Sequence, residues 1–168
     1  IVQLLDSLGF VDENIVVLPT ATETMSETIL KVLDVSGSKT FFMSMPDTFF
    51  YGQKPYSILD PTPDIADVAC WKIRPEQHGK LGQVKQDAKY ITDIKDKKKD
   101  CDYIYSWGAI TFSRKLEPFI DIKDPHVGYA LEKAVNSGSN LTYKNIEGEY
   151  FDCGTPDEYL SLLTKLIN

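Results

Sequence analysis

Two aspartates stand where they could hold a metal ion for phosphate chemistry. Asp152 ends an apolar stretch and is followed by Gly154-Thr155, which opens a helix, while Asp47 follows a second apolar stretch and Pro46. A carboxylate at the carboxyl end of a strand faces the crevice in which open α/β sheets bind ligands. Two such carboxylates can share one Mg²⁺, with their oxygens roughly 4–6 Å apart. The alternative is that Asp47 is a turn residue and Asp152 an ordinary strand-end residue.

The overall charge limits which partners this chain can bind. A net charge of −7 argues against a general nucleic-acid binder, because such proteins present a basic face. A small anion remains possible if a metal ion or a local lysine cluster supplies positive charge. Residues 95–100 read Lys-Asp-Lys-Lys-Lys-Asp, although a mixed charge run of this kind is commonly a solvated loop.

Length and apolar patterning indicate a cytoplasmic protein without a membrane partner. The 168 residues are enough for one domain with a real core, and no apolar run approaches the ~20 residues that a membrane span needs. The first residues lack a signal peptide. They also lack an initiator Met, so we expect that the native chain starts earlier. Three cysteines without CxxC spacing predict reduced thiols at Cys70, Cys101 and Cys153.

Elements that would position the aspartates can be predicted from hydrophobic periodicity and helix caps. Two capping boxes, at Thr20 and Thr24, compete for one helix start, and Thr155-Pro156 begins the last helix. The pattern predicts one α/β domain whose sheet has helices on both faces. The other predicted helices are 1–8 and one from Asp124-Pro125 to Gly138, and the predicted strands are 15–18, 39–45, 65–73, 81–85, 90–94, 103–112 and a pair, 141–146 with 149–153, joined across Glu147-Gly148.

The segment around Asp152 carries a specific resemblance. Residues 150–159, Tyr-Phe-Asp-Cys-Gly-Thr-Pro-Asp-Glu-Tyr, resemble the closing motif of sugar-1-phosphate nucleotidyltransferases, the nucleoside-diphosphate-sugar pyrophosphorylases. Residues 91–98 are similar to their strand ending in Glu-Lys-Pro, with Asp96 in place of Glu and Lys98 in place of Pro.

Weaker similarities extend over nearly the whole chain. Residues 81–84 resemble the family's glycine-containing strand beside the sugar, and residues 107–110 resemble the strand that follows. Met45-Pro46-Asp47 stands where the family has Gly-Asp, and residues 22–25 lie where it often has Gly-Thr-Ala. The family's glycine-rich loop ending in Arg, which binds the nucleoside triphosphate, has no counterpart here.

The resemblance implies a fold and a domain. The fold would be Rossmann-like, with a mixed, mostly parallel sheet, helices on both faces and the N-terminal part missing. Residues 1–168 would then be the C-terminal part of a single nucleotidyltransferase-like domain, inactive alone because the triphosphate loop is absent.

The resemblance also implies a reaction and its residues. A sugar-1-phosphate would attack a nucleoside triphosphate, giving a nucleotide-sugar and pyrophosphate. Asp47 and Asp152 would hold Mg²⁺, and Lys97 would act in catalysis by gripping the sugar phosphate. Asp96 would accept hydrogen bonds from sugar hydroxyls, and Gly82 and Gly108 would belong to the substrate site. A homo-oligomer is possible.

Two alternatives remain open at this stage. The chain could be a non-catalytic domain of the same fold that binds a sugar phosphate or regulates a partner, or a structural α/β domain with no site. The substitutions at Pro46, Asp96 and Lys98 favour the binding domain slightly. The retained Asp47, Lys97 and Asp152 favour the enzyme. His78 and His126 stand near turns, and we expect them to be surface residues rather than catalytic bases.

Overall fold

The computed structural model describes residues 17–167, in which three α-helices and three 3-10 turns accompany eight strands. The predicted helix 1–8 and the first half of the predicted strand 15–18 lie outside the described residues, and Val17-Leu18 have no regular structure. None of the described helices is long and apolar enough to cross a membrane. The helices are α1 (Met25–Val35), α2 (Gly128–Asn136) and α3 (Pro156–Ile167), and the 3-10 turns are Pro55–Ser57, Pro75–Gln77 and Arg114–Phe119.

Local signals account for where the helices begin. Thr24 prevails over Thr20, because its hydroxyl accepts a hydrogen bond from the backbone N–H of Glu27 at 3.0 Å and so caps α1. Helix α2 begins at Gly128, later than the predicted Asp124-Pro125, and no side chain caps it. Helix α3 begins at Pro156, as predicted.

The strands form two sheets. Six strands follow the order β1-β6-β3-β7-β5-β4, and β4 also pairs with β6; the second sheet is the ribbon β2-β8. The strands are β1 (Thr40–Ser44), β2 (Thr48–Gly52), β3 (Ala66–Lys72), β4 (Gly82–Asp87), β5 (Tyr90–Asp96), β6 (Tyr105–Ser113), β7 (Thr142–Asn145) and β8 (Gly148–Asp152).

The sheet is mixed but mostly antiparallel, so the mostly parallel arrangement predicted above is wrong. Among the described pairings only β3 with β7 is parallel, and the others are antiparallel. Parallel neighbours need a long crossover connection. The loops that join consecutive strands from β3 to β6 are too short to provide one. The chain between β3 and β7 is long enough and contains α2.

The predicted strand pair near the C-terminus is also wrong. Strand β8 does not pair with β7; it pairs with β2, which is not among the strands predicted above. Gly148 explains part of this result. Its backbone φ is +119°, and an ideal Cβ there would lie only 2.0 Å from the carbonyl oxygen of Tyr51, so this position requires glycine. The close approach of the two backbones lies at the end of the β2-β8 ribbon.

The core lies on both faces of the six-stranded sheet. Helices α1 and α2 cover one face, where Leu33 and Leu131 are fully buried against the strands. The ribbon covers the other face, where Phe50 and Tyr150 pack on Trp71. Helices were predicted on both faces, but α3 packs against β8 of the ribbon. The mixed α/β class is therefore correct, while the second layer differs.

Candidate functional site

The sheet has a gap at its centre that creates a cleft. Strands β1 and β4 both pair with the same edge of β6. The pairing with β1 ends at Ala109, and the pairing with β4 is confined to Ser106 and Tyr105. Between them, Gly108 is the extra residue of a bulge in β6, because Ala109 and Trp107 are consecutive partners of β3. The cleft has a volume of about 110 Å³ and is lined by Met25, Met45, Lys80, Leu81, Gly82, Asp96, Lys97, Trp107, His126, Tyr150 and Asp152.

Asp47 and Asp152 come together at one end of this cleft. An ideal Cβ on Gly154 would lie 2.8 Å from Oδ2 of Asp47 and 3.1 Å from Oδ1 of Asp152, so these oxygens are at most about 5.9 Å apart, the sum of the two distances. That separation is compatible with one ion shared between them. The cause differs from the expected one. Asp47 precedes β2 and Asp152 ends β8, and the pairing of those two strands makes them neighbours.

The backbone also holds the two aspartates in place. The N–H of Cys153 donates to the carbonyl oxygen of Asp47 at 2.7 Å, which extends the ribbon by one further bond. The N–H of Gly154 donates to Oδ1 of Asp152 at 3.2 Å. Both carboxylates therefore stand on a fixed backbone, while the side chain of Asp47 remains exposed to an incoming cation.

The negative charges of this pair affect the pKa values of neighbouring groups. Burial, followed by the charges of Asp152 and Asp47, raises the pKa of the Tyr150 hydroxyl. Burial and the same carboxylates, together with Glu158, raise the pKa of the Cys153 thiol. A raised pKa keeps the thiol neutral at pH 7, so Cys153 is a poor nucleophile and a poor metal ligand. All three cysteines are unpaired, as predicted.

The donor set fits magnesium better than a metal held entirely by protein. Within residues 17–167 there is no group of three or more His, Cys, Asp or Glu residues that could hold a metal. Mg²⁺ commonly takes one or two carboxylates and completes its octahedron with water and substrate phosphate. Asp47 and Asp152 supply two hard oxygen ligands, and the lysine-lined cleft beside them leaves room for a phosphate.

Lys97 and Asp96 both line the same cleft as Asp152. Asp96 is the last residue of β5, and its Oδ2 lies 3.0 Å from Nε2 of His126. Lys97 follows it with an exposed side chain and a left-handed backbone, φ +49°, that its N–H holds by donating to the carbonyl of Leu81 at 3.1 Å. A non-glycine residue in this conformation stores strain, a feature that recurs at functional sites.

The strain at Lys97 allows its function and its effect on stability to be separated. Lys97→Gly should leave the free energy of unfolding unchanged or raise it by up to about 1 kcal/mol, because glycine adopts positive φ without strain. The same change should abolish a phosphate contact made by the ammonium. Chemical denaturation and a phosphate titration measure the two effects. Lys98→Gly is the control, because Lys98 has no positive φ; a parallel loss of phosphate binding there would contradict a specific role for Lys97.

The two glycines of the predicted substrate site have different surroundings. Gly82 lines the cleft, and an ideal Cβ there would lie 2.2 Å from Nε1 of Trp107, so the indole occupies the space of a side chain. Gly108 does not line the cleft. Its Cα faces the second core layer, where an ideal Cβ would lie 2.3 Å from the ring of Tyr150. Its requirement for glycine is therefore explained by packing.

Gly82→Ala should destabilise the protein by about 1–3 kcal/mol, because Trp107 is buried and must shift to admit a methyl group. The shift should also deform the cleft and weaken ligand binding. Gly37→Ala is a matched control, since nothing lies within 4 Å of an ideal Cβ at that position. Thermal unfolding of both variants tests this; equal melting temperatures would show that Trp107 has room to move.

The sequence analysis missed two polar residues of the cleft, Lys80 and His126. His126 was expected at the surface, but its side chain is only 18% exposed and pairs with Asp96. A signal was available, because His126 comes just before the N-terminus of a helix, where anion sites are often built. Its partner lies thirty positions away in the sequence, and no local pattern indicates such a pairing.

Comparison with known proteins identifies the architecture. No protein-family model matches the sequence, and no curated protein does so either. Solved structures match well. A UDP-glucose pyrophosphorylase complexed with UDP-glucose aligns with a TM-score of 0.70 and 14% identity, over 88% of this chain and 63% of that one. The inositol-1-phosphate CTP transferase from T. maritima aligns with a TM-score of 0.73 and 19% identity, over 98% and 69%.

A third match agrees with these two. UDP-glucose pyrophosphorylase from Acinetobacter baumannii aligns with a TM-score of 0.68 and 15% identity, over 98% of this chain and 65% of that one. The chain thus spans about two thirds of the length of these three proteins. At such identities the similarity establishes the fold alone: this chain has the fold of the sugar-1-phosphate nucleotidyltransferases, which confirms the resemblance at that level.

Proposed function

We propose that this chain carries the metal and sugar-phosphate side of a nucleotidyl-transfer site. The observation that carries the proposal is that Asp47 lies beside Asp152, which lines a cleft that Lys97 and Asp96 also line. Carboxylates for a cation and a lysine for an anion are the two requirements of phosphoryl chemistry, in which the protein mainly positions groups and neutralises charge. The reaction, its substrates and its partners belong to this proposal.

In the proposed reaction, an oxygen of the sugar phosphate attacks the α-phosphorus of a nucleoside triphosphate, and the bond to the pyrophosphate leaving group breaks. Bound Mg²⁺ would lie on Asp47 and Asp152 and neutralise the phosphate oxygens. The residues of this chain bind and orient. Lys97 places a point charge on the sugar phosphate, and Asp96 accepts a hydrogen bond from a ring hydroxyl. Their adjacent positions in the chain place both contacts at the same part of the cleft.

Burial on one side of the cleft assists the same chemistry. Trp107, Tyr150 and Met45 form an apolar floor. Such apolar surface lowers the dielectric around Asp96, whose side chain is 13% exposed, whereas the exposed side chains of Asp47 and Lys97 remain screened by water. In this reading the chain is part of a single nucleotidyltransferase-like domain. The reaction takes place in the cytoplasm.

A second candidate is a non-catalytic domain that binds a sugar phosphate without transferring a nucleotide. The observation that favours it is the set of substitutions at Pro46, Asp96 and Lys98, which replace residues of the motifs that these segments resemble. Both candidates require sugar-phosphate binding, and only the first requires pyrophosphate release.

Calorimetric titration with glucose 1-phosphate, with and without Mg²⁺, tests the part that the two candidates share. We expect binding that magnesium strengthens, and absence of binding would contradict both. A pyrophosphate-release assay with each nucleoside triphosphate, made on the full-length protein, then separates them, because only the enzyme releases pyrophosphate. From the motifs we expect no release by these 168 residues alone; release would show that the triphosphate site lies within them and would favour the enzyme.

A further inference from the structure

We propose that His126 is a positioning residue that fixes Asp96 as the reader of a ring hydroxyl, an inference that rests on the proposed function. The two side chains form the most enclosed polar pair in the cleft. Nε2 of His126 lies 3.0 Å from Oδ2 of Asp96, and the side chains are 18% and 13% exposed. The ligand class that such a pair serves is a phosphorylated, polyhydroxylated ring.

The pair is held from several sides. Asp96 stands opposite Gly82 in the antiparallel pairing of β4 and β5, so its side chain lies on the face where the indole of Trp107 covers Gly82. The ring of His126 packs against Tyr129 with centroids 5.0 Å apart. An ideal Cβ on Gly128 would lie 3.1 Å from Nδ1 of His126 and 3.2 Å from Trp107. The imidazole therefore has little freedom to turn away.

Chemistry assigns the proton between them. An ionised carboxylate only accepts hydrogen bonds, so Nε2 must carry the hydrogen that reaches Asp96. Nδ1 faces the first turn of α2, where backbone N–H groups of a helix lack partners and favour an acceptor. The neutral ring therefore has its hydrogen on Nε2 and a lone pair on Nδ1.

This arrangement leaves one carboxylate oxygen for the ligand. Within residues 17–167, Oδ1 of Asp96 makes no hydrogen bond, while Asp96 itself lines the cleft. Aspartate can rotate about its last torsion, and the bond from His126 selects one orientation of that torsion. Oδ1 is then the oxygen left free to accept a hydrogen bond from a ligand hydroxyl. A phosphorylated ring with a hydroxyl within reach is bound through this contact, and inorganic phosphate, which has no ring hydroxyl, does not use it.

The test compares two probes, glucose 1-phosphate and inorganic phosphate. His126→Phe should weaken glucose 1-phosphate about tenfold, the loss expected for one hydrogen bond to a charged group, while inorganic phosphate keeps its affinity. His126→Gln places an amide N–H near the position of Nε2 and should restore most of the loss. In an Asp96→Asn background, His126→Phe should cost nothing further, because the two residues act as a unit.

The outcomes distinguish this inference from the proposed function. Equal weakening of both probes by His126→Phe, or additive losses in the double variant, would overturn the positioning role while leaving sugar-phosphate binding intact. If the unaltered chain binds no glucose 1-phosphate, the proposed function fails and the inference fails with it. Nitrogen NMR of the unaltered chain is independent of folding effects in the variants. A neutral imidazole protonated on Nδ1 would refute the pairing directly.

Discussion

Replacing Asp152 by asparagine should lower magnesium-dependent nucleotidyl transfer by the whole protein about 10²–10³-fold, because one preorganised electrostatic contact to the metal is lost. Asparagine keeps the volume and can still accept the hydrogen bond from the N–H of Gly154. Folding should therefore change little, and it can improve, since two close carboxylates repel each other when no cation is bound. Rates at saturating magnesium and a melting curve measure the two effects.

Thr155→Ala is the matched control for this prediction. The hydroxyl of Thr155 accepts a hydrogen bond from the N–H of Glu158 at 3.4 Å and caps α3, three residues beyond Asp152. Its loss should cost about 1 kcal/mol of stability and leave the carboxylates untouched. Equal losses of activity in the two variants, or a large fall in melting temperature for Asp152→Asn alone, would make Asp152 a structural residue.

Arg74→Met should destabilise the protein by about 3–5 kcal/mol, because it leaves Glu158 as an uncompensated buried charge. The guanidinium donates to Oε2 of Glu158 at 2.7 Å and to the carbonyl of Tyr150 at 2.9 Å, and it lies 4.3 Å from the centre of the Phe151 ring. The side chain of Glu158 is only 8% exposed. Although burial opposes its charge, the hydrogen bonds that Arg74 donates to Glu76 and Glu158 raise its pKa. Urea denaturation gives the free energy of unfolding.

Two further variants show whether the cost arises from the buried charge. Glu158→Leu added to Arg74→Met removes that charge and should recover a large part of the stability. Lys165 of α3 also forms an ion pair with a residue of the ribbon, Glu149, but this pair lies at the surface. Lys165→Met should have no measurable effect, as is usual for exposed pairs. A double variant no more stable than Arg74→Met alone would assign the loss to packing on Phe151.

The elements that were predicted well are those whose signals are local. Strand β1 follows from a continuous apolar run, and helix α3 from a threonine cap and a proline. Strand β2 was missed because Thr48–Gly52 lies between prolines and exposes some of its aromatic side chains, so nothing local distinguishes it from a loop. Its structure depends on β8, a partner about a hundred residues away, and strand formation depends strongly on such context.

The site shows the same division. Asp47, Asp152, Asp96 and Lys97 could be named from motifs, because each stands next to a recognisable turn or strand end. Their arrangement could not, since it depends on an antiparallel ribbon and on a gap between β1 and β4. His126 had neither a motif nor a local partner, and its surroundings come from three different elements. The residue types can be recognised from the local sequence, whereas the distances between the residues follow from strand pairing.

The bulge at Gly108 allows one strand to serve two purposes that can change independently. Trp107, in the half of β6 before the bulge, lines the cleft, whereas residues 109–113 form the centre of the sheet between β1 and β3. Because the bulge adds one residue, the alternation of side chains between the two faces of the sheet in one half of β6 does not determine the alternation in the other half. Substitutions that suit a new ligand can therefore accumulate in the first half while the second keeps the fold. For a protein engineer, position 107 is therefore the place on β6 to vary specificity.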